Sequence, residues 1–295
     1  MNIDRFIAER KTQGFSQAEL AKGICTQSTL SKFENNGHVP KLDILSQLCQ
    51  RLQLPLSELF PKVVVENPQL IEKMNTIEFF LITSEYEQAR TLLESISMTE
   101  VDEVHLLRYH YLKGFILLFQ QAPTLEILFV FDQILLSEDT SQNQIFKLLA
   151  YTGIGMIFAN QSDYDKADFY FDKVLAQIYQ FPIHSLEDAW RVLHIVFQAG
   201  VFYAQKEELS ISNALLTYAI TICSDNHVTY YLARAAVQLV KNAVATNESP
   251  HQILELIHDA RAYSKINRNH VALNELTLIE QMILSNNDSA NKLKE

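Results

Sequence analysis

Residues 15–45 read FSQAELAKGICTQSTLSKFENNGHVPKLDIL. Ser16 followed three residues on by Glu19 is the pattern of a capping box. The hydroxyl accepts from the backbone N–H of residue 19 and the carboxylate accepts from that of Ser16, so a helix is predicted over Gln17–Lys22. Gly23 turns the chain, and Thr26 caps a second helix over Gln27–Asn35 with Leu30 and Phe33 inward. Asn35-Asn36-Gly37 and Pro40 end it, and a leucine-rich helix over Lys41–Leu52 follows, with Leu42, Leu45, Leu48 and Cys49 predicted inward. Upstream, Asp4–Thr12 places Phe6, Ile7 and Arg10 at helical spacing and stops at Gly14; downstream, Leu56–Phe60 makes a fifth short turn.

Helical spacing continues through the rest of the 295 residues. Seven Gly and seven Pro are far below the average usage of about 7% and 5%, so the expected class is all-α. Residues 1–62 carry a net charge of +2, whereas the remainder carries −13. The charge step coincides with Pro61, the Val63–Val65 triplet and Pro68, which predicts two domains, 1–62 and 63–295. The longest apolar runs, Phe115–Phe119 and Ile127–Phe131, are five residues, far below the roughly 18–20 needed to cross a bilayer, so no membrane partner is expected. The N-terminal MNIDRFIAERK lacks an apolar secretory core, and three cysteines form no disulfide framework, which together predict a reducing cytoplasm.

The acidic part repeats itself about every 34–42 residues. In Tyr151–Val174, YTGIGMIFANQSDYDKADFYFDKV, the residues Gly155, Phe158, Ala167 and Phe171 have the spacing of the small, aromatic, Ala and aromatic positions of a tetratricopeptide repeat. A second unit has Gly200, Tyr203, Ala214 and Tyr218, with two extra residues assigned to the turn around Glu207–Ser212; weaker copies contain Gly114 with Leu117, and Tyr86 with Ala89 and Leu93. Small residues let paired helices approach and aromatics fill the space between stacked pairs, so about five degenerate repeats are expected to stack as an α-solenoid.

Enzyme chemistry finds no support in these residues. There is no HExxH, no Cys/His set at zinc spacing, no GxGxxG and no phosphate-binding loop. Asp163, Asp165 and Asp168 lack the Gly and Glu of a calcium loop and suit helix capping and surface charge. No catalytic residue, metal or cofactor is expected.

The quoted stretch resembles the helix-turn-helix of the lambda-repressor and Cro type, with its cap-Gln-x-x-Glu-Leu-Ala, its Gly turn, its Gln-Ser-x-hydrophobic-Ser-basic-hydrophobic-Glu run and its Pro before a leucine-rich helix. That resemblance implies a double-stranded DNA partner, with Gln27, Ser28, Thr29 and Lys32 on a recognition helix in the major groove. Gln17 would hold a phosphate at the start of the preceding helix, with Asn36 and His38 as further backbone contacts. Arg10 and Glu34 occupy positions that usually form an internal ion pair in this fold. With only +2 on the head, a single copy should hold phosphates weakly, which favours a homodimer reading two half-sites. The apolar C-terminal helix Ala272–Leu284, with Leu273, Leu276, Ile279, Ile283 and Leu284, is a candidate contact between copies.

Such a head joined to degenerate tetratricopeptide repeats resembles the peptide-pheromone-responsive regulators of Gram-positive bacteria, the PlcR/PrgX/Rgg-like group, and most of all its PlcR-like members, whose head shares the Cys25-x-Gln27-Ser28 pattern, the run from Ser31 to Glu34 and the start at Leu42–Leu45. The resemblance implies a short signalling peptide in the concave groove that shifts the placement of two heads in a homodimer. With the groove positions that the resemblance implies, repeat numbering from the small residues assigns Arg108 and Tyr111; Thr152, Met156 and Asn160; and His194, Phe197 and Gln205, while in the following repeat Arg234, Gln238 and Asn242 recur every four residues as a polar stripe on one helical face. Some of these positions could equally be inter-repeat core. Two other readings remain open: repeats that bind a partner protein, and a Rap-like antagonist whose head has lost DNA.

Overall fold

The structure, a computed structural model, describes residues 3–55, 59, 67–138, 140 and 143–292, without the side chains of residues 4, 36 and 286–292. Among these residues there are α-helices, a 3-10 turn at Met98–Glu100 and no strand. Contacts divide the chain into two compact units, Met1–Glu66 and Asn67–Glu295.

The first unit holds α1 (Ile3–Thr12), α2 (Gln17–Ala21), α3 (Gln27–Asn36) and α4 (Leu42–Arg51). The capping box at Ser16 and Glu19 forms in both directions, and Thr26 caps α3 by accepting from the Thr29 N–H. Gly37 ends α3 in the left-handed conformation at φ 69°, which a side chain would strain. Phe6 and Phe33 meet edge to face at 5.1 Å in a core with Leu20, Leu30, Leu45 and Leu48. Leu42 departs from expectation. It is 66% exposed, because α4 faces the core through Leu45, Leu48, Cys49 and Leu52, and Leu42 sits in its first turn beyond that stripe. The expected fifth turn lies outside the described residues except for Leu59, which is buried.

The second unit is a stack of helix pairs: α5 (Pro68–Thr83) with α6 (Tyr86–Glu94), α7 (Leu106–Phe119) with α8 (Thr124–Leu135), α9 (Gln144–Asn160) with α10 (Tyr164–Ile178), α11 (Leu186–Gln205) with α12 (Leu209–Asp225), and α13 (Leu232–Ala245) with α14 (Pro250–Ile266), followed by α15 (His270–Lys292). A residue with positive φ ends the first helix of every pair: Ser84, Gln121, Ser162, Glu207 and Asn247. This recurrence marks five repeats.

It also corrects one register. Gly155 and Ser162 are separated by the same number of residues as Gly200 and Glu207, so the fourth repeat has no inserted residues. Its small and large positions are Ser212 and Leu216, not Ala214 and Tyr218. Leu216 crowds Gly200 as Phe171 crowds Gly155, and the buried Ser212 hydroxyl donates to the Gly200 carbonyl at 2.7 Å. Hydrogen bonding let serine stand where alanine was sought.

Close approach between pairs is tightest around Phe131. A Cβ at Gly114 would lie 2.5 Å from its ring and one at Gly153 2.3 Å, so α7 and α9 close on the two sides of one aromatic from α8. A continuous core runs from Leu70 to Ala235, and a second cluster joins α13, α14 and α15 through Val240, Ile257 and Leu276. Of the C-terminal residues expected at a surface contact, Leu276 is fully buried in this cluster and Ile279 and Ile283 pack on it; Val271, Leu278, Met282 and Leu284 are the exposed apolar side chains of α15.

The first repeat also touches the later ones. Glu78 of α5 accepts from Arg108 of α7 and from Arg191 of α11, the latter 113 residues away. The Arg234 guanidinium of α13 donates to the Ile82 carbonyl at 2.7 Å and to the Ser84 hydroxyl, and Phe79 meets Tyr230 edge to face at 5.5 Å. No described helix is long and apolar enough to cross a membrane.

Candidate functional site

In the head, a polar relay leads from the core to the face of α3. Arg10 and Glu34 form the expected ion pair, doubly bonded at 2.6 and 2.8 Å, with Arg10 also donating to the Phe15 carbonyl. Gln17 donates to Glu34 at 2.8 Å, and Gln27 donates to Gln17 Oε1 at 2.8 Å. A carboxylate only accepts, so Gln17 must turn its amide nitrogen to Glu34 and its oxygen to Gln27. Gln27 then presents its own oxygen and its second N–H to the exterior. Gln27, Ser28 and Lys32 are exposed on α3, and the half-buried Thr29 hydroxyl lies 2.8 Å from that of Thr26. His38 is exposed beyond the helix; the Asn36 side chain lies outside the described residues. Arg51 donates to the carbonyls of Leu20 and Lys22 and so holds the end of α2 in place.

This arrangement offers an amide, hydroxyls and an ammonium along one helix, the groups that read base edges and phosphates.

The residues assigned to the repeat groove divide into three sets. Phe197, Arg234 and Gln238 come together in an open cleft of about 900 Å³ lined by the α5–α6 turn, α11, α13 and the start of α15. Arg108, Tyr111, Thr152, His194 and Asn242 are engaged in the interior. Arg108 bonds Glu78 and Asn75, Tyr111 packs on Phe115 and Phe146, and Thr152 donates to the Leu148 carbonyl of its own helix. Asn242 is 1% exposed and donates to Ser212 and Asn213, both at 2.8 Å. Asn160 and Gln205 are exposed last residues of α9 and α11, and Met156 is half-buried.

His194 bonds the Tyr231 hydroxyl at 2.9 Å through Nδ1, while its Nε2 is buried without a partner. Burial, reinforced by the Arg234 charge and opposed by Glu78, lowers its pKa to about 3, so the ring is neutral. Burial alone would raise the Glu78 pKa, but the Arg191 and Arg108 guanidiniums hold it below the usual carboxylate range. Burial pushes the thiols of Cys49 up to about 11 and Cys223 up to about 12, leaving them protonated and unreactive at neutral pH. Among the described residues no set of His, Cys, Asp or Glu could hold a metal ion; Asp163 caps α10 and Asp168 pairs with Lys206.

Sequence reasoning missed Lys241, Arg268 and His270 on the cleft wall. The signal for Arg268 and His270 was the polar turn Asn267-Arg268-Asn269-His270 between two helical patterns; Lys241, inside α13, had none.

Residues 7–59 match the family model described as helix-turn-helix. The head is a helix-turn-helix domain. No curated protein matches the chain. Among solved structures, PlcR of Bacillus thuringiensis in complex with the peptide PapR7 and DNA is similar over 93% of this chain and 98% of that one, with a TM-score of 0.60 and 16% identity. ComR of S. thermophilus, in complex with DNA and its signalling peptide ComS, covers 95% of this chain and 98% of its own, with a TM-score of 0.59 and 16% identity. ComR of Streptococcus vestibularis, in complex with its cognate signalling peptide XIP, covers 95% and 97%, with a TM-score of 0.56 and 16% identity. The chain shares their fold, a helix-turn-helix head with a C-terminal helical repeat domain.

Proposed function

We propose that this chain is a DNA-binding transcription regulator whose repeat domain receives a short signalling peptide, with no catalytic step. The observation that carries the reading is the fold likeness to PlcR and ComR along nearly the whole chain, because those proteins are seen with both DNA and peptide. The oriented Gln27 on an exposed α3 supports the DNA half. The division into two compact units supports a DNA-binding domain over residues 1–62 and a peptide-binding and dimerising domain over 63–295. The working unit is a cytoplasmic homodimer, with Leu278 and Met282 on the exposed side of α15 as its contact. DNA is held by Gln27, Ser28, Thr29 and Lys32, assisted by Gln17, Asn36 and His38; peptide enters beside Phe197, Arg234 and Gln238.

The test is selection of binding sites from random duplex DNA by the full-length protein, with and without a synthetic peptide library. The expected result is a paired half-site whose recovery changes with peptide. Recovery of no sequence preference under either condition overturns the reading.

A further inference from the structure

The repeat unit carries six arginines in an otherwise acidic domain. Four bond a carboxylate: Arg90 with Glu87, Arg108 and Arg191 with Glu78, and Arg261 with Glu280. Among the described residues, the two that bond no carboxylate are Arg234 and Arg268, and both line the cleft of about 900 Å³. Arg234 spends one nitrogen on neutral acceptors, the Ile82 carbonyl and the Ser84 hydroxyl, and lies over the Tyr231 ring. Its charge is therefore uncompensated. Arg268 is exposed, in a left-handed turn at φ 51° that begins α15.

Lys241 and Glu275 pair at 2.7 Å in the wall, so together they leave the net charge of the cleft unchanged. One further feature has the same sign as the two arginines. The N-terminus of the long helix α15 opens onto the same space, adding the positive end of its dipole. Beside these charges the wall is apolar, with Phe197, Val237 and the well-exposed Ile266 and Val271.

We infer that this cleft is the part of the peptide site that takes a carboxylate, held between Arg234 and Arg268, with a neighbouring apolar side chain against Phe197, Val237 and Val271. The inference rests on the peptide-receptor reading and specifies its chemistry. A guanidinium without a carboxylate is the better receptor, since a new anion need not displace an existing partner. The carboxylate is either the peptide's C-terminus or an acidic side chain.

The probe is a random heptapeptide library in three forms: free C-terminus without Asp or Glu, amidated C-terminus with Asp and Glu, and amidated without either. Each is incubated with the full-length protein and retained peptides are identified by native mass spectrometry. The expected result is retention from the first or second form, which names the source, and none from the third. Arg234→Gln and Arg268→Gln should each lower retention about tenfold or more. Arg268 makes no side-chain bond to the fold, so its variant reads the ligand contact alone even where Arg234→Gln loosens the contact to the first repeat. Equal retention from the third form, or retention unmoved by both variants, overturns the carboxylate site and leaves the receptor reading standing. Retention from no form overturns both.

Discussion

Gln27 donates its side-chain amide to Gln17, which donates in turn to Glu34, so the residue that opens α3 is oriented from the core. Gln27→Ala or Thr29→Ala should cost about 1–3 kcal/mol on the specific site and leave non-specific binding nearly unchanged, whereas Lys32→Ala weakens both and flattens the salt dependence. Gln17→Ala should resemble Gln27→Ala in its loss of specificity, because it frees Gln27 to rotate. Fluorescence anisotropy against matched and scrambled duplexes at several salt concentrations checks all four.

Arg10 and Glu34 have side chains only 10% and 3% exposed. Arg10→Met leaves a buried carboxylate facing Gln17 alone and should destabilise the head by about 3–5 kcal/mol, while Arg10→Met with Glu34→Leu recovers most of the loss. Hydrogen exchange of the α1 and α3 amides in the full-length protein reads the head separately from the repeats. A double variant as unstable as the single one would refute this assignment.

Gly153→Ala should destabilise the repeat unit by about 1–3 kcal/mol, since its Cβ would meet the Phe131 ring. Phe131→Leu in the same chain relieves the clash, so the pair should be less damaging than the sum of the single changes. Gly155→Leu should act in the same direction through Phe171, and Ala167→Leu by overpacking a fully buried position. Urea titrations followed by circular dichroism measure these differences.

Neutral burial of His194 links stability to pH. Its pKa is about 3 in the fold against 6.5 for the free side chain, so between those values the unfolded chain binds the extra proton and stability falls as pH falls. From pH 7.5 to pH 5 the loss attributable to this ring is roughly 2 kcal/mol. His194→Gln, which can still bond Tyr231, should remove that part of the acid limb. An unchanged pH profile in the variant would show that His194 is not its origin.

The head was legible because its signals are local: caps, a Gly turn and a leucine stripe fix each helix within a few residues. The repeats were legible from Gly114, Gly155 and Gly200 in the first helices of three pairs, yet the fourth register was misassigned because a buried hydroxyl can replace a methyl. Asn242 shows why groove residues are harder. The groove assignment turns its amide toward an open groove, but it bonds Ser212 and Asn213 across the α12–α13 junction. Asn242→Ala should therefore cost about 1–3 kcal/mol of stability, measurable by thermal melting without any ligand. The helical stripe Arg234, Gln238, Asn242 was correctly seen as polar; which of its members meets solvent depends on neighbours about 30 residues distant.

The bonds from Glu78 to Arg191 and from Arg234 to Ser84 span 113 and 150 residues of chain. A linear array unfolds by fraying, since each end repeat has a single neighbour. Here the first repeat draws on the fourth and fifth as well, so melting at one end costs contacts at the other and the transition sharpens toward all-or-none. The same ties lengthen the mean loop that folding must close, which slows it. During synthesis, Glu78 of α5 can pair with Arg108 once α7 has emerged, but its second guanidinium arrives only when α11 leaves the ribosome.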